Sequence, residues 1–214
     1  GIWLMAISYP LSIPTDIGIE QVTLRAVNAT SISQSPFTYK QQVVQHSGQR
    51  WEATVRIPPL RKDLMEPWVA FLVSLKGQFG TFLLGDPNNA TPQGSASTTP
   101  GTPVVLGASQ TGDSLNIDGL PTSTTGYLLP GDYIQLGTGA TATLYKVLTQ
   151  VDSNSSGEAT LDIWPNIRTA PADNATVVVS NTVGNFRLAG GATEWSINNA
   201  NAYGLQFDAV GVIT

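Results

Sequence analysis

A chain of 214 residues has room for one domain or two small ones, and 41% hydrophobic content with five Trp, six Tyr and six Phe excludes disorder throughout. Only 12% of the residues are charged, about half the ~25% of ordinary soluble domains; Ser, Thr, Asn, Gln and Gly take their place. The net charge of −5 divides into +1 over residues 1–86 and −6 over residues 87–214, so neither half carries the basic stripe that nucleic-acid binding needs. There is no cysteine, hence no disulfide and no thiolate metal ligand. No apolar run approaches the ~20 residues of a membrane span, so no membrane insertion is expected. The opening GIWLMAISYP lacks the basic and long apolar regions of a signal peptide, and Met5 is a candidate alternative start behind Gly1–Leu4.

In chain order, Ile17–Ser33 reads as a strand: Val22, Leu24 and Ala26 alternate with Thr23 and Arg25. Ser35-Pro36 breaks it, Phe37–Gln45 is a second strand, and Ser47-Gly48-Gln49 is a turn. Arg50–Ile57 is the clearest strand, with Trp51, Ala53, Val55 and Ile57 facing one way. Pro58-Pro59 should stop it, since proline gives no ladder donor. A helix follows over Leu60–Lys76, where Leu64, Trp68, Phe71, Leu72 and Leu75 form one apolar stripe. Asp63 and Glu66 have capping-box spacing, making Asp63 the expected N-cap and placing Pro67 in the first turn; Gly77 suits the C′ position. Phe79–Leu84 returns as a strand. The expected core is Trp51, Leu64, Trp68, Phe71, Leu72, Leu75, Phe79 and Phe82.

Asn88–Thr102, rich in Asn, Thr, Pro, Gly and Ser, reads as a linker. Short β segments then recur at steady spacing: 103–108, 114–118, 133–136, 143–150, 158–164 and 176–180, with a hairpin tip at Asp152–Gly157. Such spacing marks a small sandwich or barrel. Residues 185–188, 193–197 and 203–213 are strand-like again. They either complete the second unit or return to pair with the first. The return is favoured because a closing strand would cover an exposed edge. The chain is then mainly β with one α-helix: residues 1–95 and 183–214 form a β-sandwich with its helix, and residues 96–182 an inserted β-sandwich or barrel.

Catalytic chemistry is sparse. The lone histidine, His46, cannot build a His-based metal site, and no GxSxG elbow exists; such a residue more often ends a strand or sits in a turn. Asp118, Asp132, Glu158, Asp162 and Glu194 are candidates for a glycosidase pair, with Trp164 and Trp195 as sugar platforms. Acids beside Gly or in alternating strands are more often solvated, and tryptophans in β proteins more often core. Asp152–Glu158 hints at calcium without an EF-hand's pattern. No glycine-rich run opens a helix to cradle phosphate. No catalytic residue, metal or cofactor is therefore assigned.

Several phrases together resemble a family of siphophage tail proteins: SPFT at 35–38, GQRWEATVRIPPL at 48–60, WVAFLVSLKG at 68–77, FGTFLLGDP at 79–87, LLPGDYIQLG at 128–137, TLDIWPNIR at 160–168 and NFRLAG at 185–190. Within tails the arrangement is most similar to the distal tail protein. The resemblance implies a non-enzymatic structural protein of the virion tail tip, assembled in the host cytoplasm. Its tail-tube-like β-sandwich with one helix would form a ring of six copies joining tail tube to hub, and a second β domain would project outward. The tail tube protein, the hub and other tail-tip proteins are then its partners. An inserted rather than C-terminal second domain departs from that plan and leaves a minor tail or hub-associated protein open. Tail-tube or terminator subunit and host-glycan-binding or glycan-hydrolysing protein are the alternatives. Arg50, Arg56, Arg61 and Lys62 are the candidate subunit-interface residues, against the plainer reading of ordinary surface charge.

Overall fold

The computed structural model describes residues 7–15, 18–197 and 203–213. Gly1–Leu4, Met5 and the start of the first expected strand at Ile17 lie outside them. The described chain is mainly β, with one α-helix and two sheets. In chain order the elements are β1 (Leu11–Ser12), β2 (Gln21–Gln34), β3 (Gln41–Leu60), α1 (Lys62–Ser74), β4 (Phe82–Leu84), β5 (Val104–Val105) and β6 (Gly112–Asp118). There follow β7 (Tyr133–Leu136), β8 (Thr143–Val147), β9 (Ala159–Ile167), β10 (Val177–Val178), β11 (Gly184–Leu188), β12 (Trp195–Ile197) and β13 (Tyr203–Gly211).

The first sheet runs β1-β4-β11-β13-β3-β2, with β12 added beside β13; the second runs β10-β7-β8-β9-β6-β5. β4 and β11 are hydrogen-bonded neighbours, and the second sheet is built from residues between them. On the inner face of β3, Trp51, Ala53, Val55 and Ile57 are buried, while Arg50 and Arg56 are exposed. The helix lays Met65, Trp68, Val69, Phe71 and Leu72 on that face, against Phe82, Phe186 and Phe207. The second core gathers Leu115, Ile117, Tyr127, Ile134, Val147 and Leu161. Tyr133 and Leu144 alternate with Ile134 and Tyr145 and turn back into the first core, so β7 and β8 are buried on both faces.

Two expected turns are not turns. The chain runs through Ser47-Gly48-Gln49 inside β3, and the hairpin closes instead at residues 35–40, putting Phe37 in the tip. The Ser-Gly pair belongs to a bulge: Asn28 pairs with Gln49 but Thr30 pairs with Gln45, crowding Ala29 against Gly48. A Cβ at Gly48 would lie 2.9 Å from that of Ala29, which is why glycine stands there. Pro58-Pro59 likewise fails to end β3. Ile57 pairs with Leu205 and Leu60 with Tyr203, so the prolines occupy a second bulge where no ladder donor is needed.

The helix is shorter than its apolar stripe suggested. Arg61, not Asp63, is the N-cap, with no side-chain cap bond, and Pro67 falls beyond the first turn. Its missing N–H leaves the Asp63 carbonyl without a helical donor. Lys76 (φ 53°), one residue before Gly77 (φ 67°), begins the left-handed exit. Leu64 is only half-buried, its expected place taken by Met65, and Phe79 is 73% exposed beyond the helix end. Residues 88–102 are no slack linker: two 3-10 turns tuck the segment against the second core and bury Ala96.

Trp68→Ala should cost about 3–5 kcal/mol in urea unfolding, since the ring is wholly buried. Phe79→Ala should cost about 1 kcal/mol or less, because it loses an edge contact with Tyr9 at 5.9 Å and little burial. Equal losses for the two would contradict this division of core from surface.

Candidate functional site

β2 and β3 continue beyond the body of the first sheet as a two-stranded arm. Every residue from Asn28 to Gly48 is exposed except half-buried Ser35. This stretch contains no Asp, Glu or Arg; Lys40 and His46 are its only basic groups. Ile32 pairs with Val43 on one face, and Val44 lies on the other, all exposed. At the tip, the N–H groups of Phe37 and Thr38 point to Ser35 Oγ at 3.4 Å, and Tyr39 (φ 55°) donates its N–H to the Ser35 carbonyl. Phe37 is 92% exposed and Tyr39 74%. A two-stranded ribbon alone is marginal in water, and β2 is a sheet edge along its length.

The second sheet braces the base of this arm. Trp164 Nε1 donates to Asn28 Oδ1 (2.8 Å), and the Asn166 N–H donates to Gln49 Oε1 (2.7 Å). Arg168 donates to the carbonyls of Gln49 (2.7 Å) and Ser47 (3.2 Å). The brace comes from the end of β9 and the residue after it: Trp164 and Arg168 act through their side chains and Asn166 through its backbone N–H. Trp164, half-buried, is thus a joint between the sheets. Beside the brace a cleft of about 370 Å³ opens between the sheets, walled mainly by apolar groups including Trp51, Leu144, Phe186, Pro171 and Ala172. Asn185, also in its wall, donates Nδ2 to the Ala140 carbonyl; its buried Oδ1 has no partner among the described residues.

The four basic interface candidates do not converge. Arg50 is engaged by Glu52 at 2.6 Å, and Arg56 reaches Gln206 at 3.3 Å. They stand six positions apart on β3, about 20 Å. Arg61 pairs with Asp63 in the open at 3.3 Å, and Lys62 is exposed at the first helical position.

Asp132 and Asp152 serve the backbone, while Asp162 and Glu158 accept from neighbouring side chains. Buried Asp132 accepts from the N–H groups of Gln93 and Leu129 at 2.8 Å and so ties down the 88–102 segment. Asp162 accepts from Thr149 (2.9 Å) and Glu158 from Asn154 (2.8 Å); Asp118 closes β6. In the turn before β9, Asn154 Oδ1 accepts from Ser156 and Glu158. The Gly126 N–H and the Gln150 amide hold the Asp152 carboxyl below its ordinary range. No group of three or more His, Asp and Glu able to hold a metal ion occurs among the described residues. His46 lies exposed within the β3 bulge. A shallower groove of about 660 Å³ is lined by Glu194, Trp195, Arg56, Gln206, Glu20 and Pro59, with Trp195 44% exposed. No helix among the described residues is long and apolar enough to cross a membrane.

Sequence reading missed the arm because its Ser-Gly bulge looked like a turn. The run from Ala26 to Gln49, with Lys40 its one charged residue, was the available signal. The cleft left no signal, since distant segments form it. No protein-family model matches the chain, and no curated protein matches it.

Burial pushes the Tyr127 and Tyr133 hydroxyls up to about 12, with Asp86 adding to the effect at Tyr133. Tyr127 also donates to the Pro100 carbonyl at 2.6 Å. Unfolded tyrosines ionise near 10.0, so above that pH the unfolded chain loses protons that the folded chain keeps. Stability should therefore fall as pH rises from 10 to about 12, as read by melting temperature; a flat profile across that window would contradict the burial of these phenols.

Proposed function

We propose that this protein is a structural, non-catalytic subunit of a long-tailed bacteriophage tail tip. Its copies close into a ring, six by the resemblance to distal tail proteins, that joins tail tube to hub and carries the second sheet at its periphery. The observation that carries this reading is the braced arm, with Lys40 its one charged side chain, that extends the free edge of the first sheet. A ring needs a heterologous contact, with two different surfaces on each subunit. An edge that must accept a neighbour's backbone cannot carry the charges that normally block such pairing. The low overall charge fits a subunit whose faces are covered in an assembly. The basic residues contribute less than the sequence suggested, since Arg50 and Arg61 already have acidic partners.

Native mass spectrometry and light scattering test this directly. A closed oligomer of one size should form at micromolar concentration. Removing residues 31–44 and joining Thr30 to Gln45 through Asn-Gly uses an existing register pair and a favourable two-residue turn. That variant should melt within a few degrees of the parent yet remain monomeric. A full-length chain that stays monomeric at every concentration would overturn the ring.

A second reading rests on Trp195, whose exposed ring stands among Glu194, Arg56 and Gln206 at the shallower groove. An aromatic platform with planar polar neighbours suits a host glycan. Binding on a glycan array that disappears in Trp195→Ala would support it; no binding at millimolar sugar would dismiss it.

A further inference from the structure

We propose that the arm tip of one copy, Phe37 with Tyr39, seats in the inter-sheet cleft of the next copy; this rests on the ring reading and specifies its contact. The tip is an aromatic knob at the end of a braced lever, 92% exposed at Phe37. The cleft is mainly apolar and, at about 370 Å³, large enough for an aromatic side chain. Aromatic anchors filling desolvated pockets are what dominate protein contacts.

Geometry makes the contact pass between copies. Gln49 lines the cleft and also begins the arm, whose paired strands run six register steps, ~20 Å, from Asn28 to Gln34 before the tip turn, so the tip stands well away from its own cleft. Arg168 and Asn166 hold the arm base to the second sheet, which prevents the arm from folding back. The arm from Asn28 to Gly48 offers 21 residues, 20 of them exposed, close to the ~20–30 per side of a standard stable interface. Knob and cleft are different surfaces, as a head-to-tail closing contact requires.

The chain has no cysteine, which makes the test clean. Phe37→Cys is combined with Ala172→Cys, an exposed position in the cleft wall, and the assembled protein is oxidised and run on a non-reducing denaturing gel. The pair should give a ladder of covalent multimers ending at the ring number. Either cysteine alone, or Phe37→Cys with Ser155→Cys in the exposed turn before β9, should not. Phe37→Asp, with unchanged circular dichroism, should raise the concentration for half-assembly by at least about tenfold. Rings that persist without a ladder would overturn the cleft contact while leaving the ring standing. An equal ladder from the Ser155 pair would also overturn it, showing random collision. A chain that never assembles would overturn both.

Discussion

The indole of Trp51 sits where the two sheets meet, and the placement of everything outside the first sheet follows from it. It lies on the inner face of β3 and donates Nε1–H to the Leu144 carbonyl of β8 at 2.9 Å. It meets Trp164 of β9 edge-on at 4.6 Å and Tyr133 of β7 at 6.1 Å. An edge-to-face aromatic pair adds about 0.5–1.5 kcal/mol beyond burial, and the indole N–H is satisfied where it would otherwise be an orphan. The second sheet enters and leaves the first through neighbouring strands, β4 and β11. There Gly85 approaches the Thr182 carbonyl so closely that a Cβ would stand 2.2 Å from it. That narrow neck alone would act as a hinge. Trp51 and the adjoining Asn28–Gln49–Arg168 brace together supply a second attachment away from the neck, which holds the second sheet against swinging about it.

The same brace determines where the arm points. Hydrogen bonds to the Ser47 and Gln49 carbonyls hold β3 at its bulge, where an unbraced ribbon would bend most easily. The inserted sheet thus does more than ride on the first: it aims the projecting arm. Under the ring reading, inserted sheet and contact surface form one mechanical unit. That gives a physical reason for the insertion to lie between β4 and β11.

Much of this was readable in the residues. The alternation of Trp51, Ala53, Val55 and Ile57 and the stripe of Trp68, Phe71 and Leu72 are period signals that survive any tertiary context. Failures came where a local signal has two meanings. Ser-Gly and Pro-Pro mark turns, but they also mark bulges, and only a partner strand opposite them decides between the two. Phe79 repeats the aromatic character of Phe82 but lies before the strand begins, in the loop after the helix. Trp164 and Trp195 were equivalent as sequence. Pairing partners made one a half-buried joint and left the other at a groove. The cleft draws on β3, β8, β11 and the segment after β9, separations over which no local pattern extends.

The scarcity of chemistry and the scarcity of charge have a common physical origin in this molecule. Asp132, Asp152 and Asn154 spend their oxygens on backbone N–H groups, which a loop-rich β protein must satisfy and which leave those atoms unavailable for catalysis. The arm, with Lys40 in its tip as its one charged side chain, lacks the gatekeeping that normally keeps such edges from pairing at random. A free chain carrying that edge would be exposed to open-ended association. A contact that places the arm tip in a distinct cleft with a defined rotation closes after a fixed number of copies, and closure removes the free edge. Under the ring reading, the specificity that charge would ordinarily provide is supplied by shape: an aromatic tip, a cleft of limited volume, and a brace that keeps the two apart on one copy.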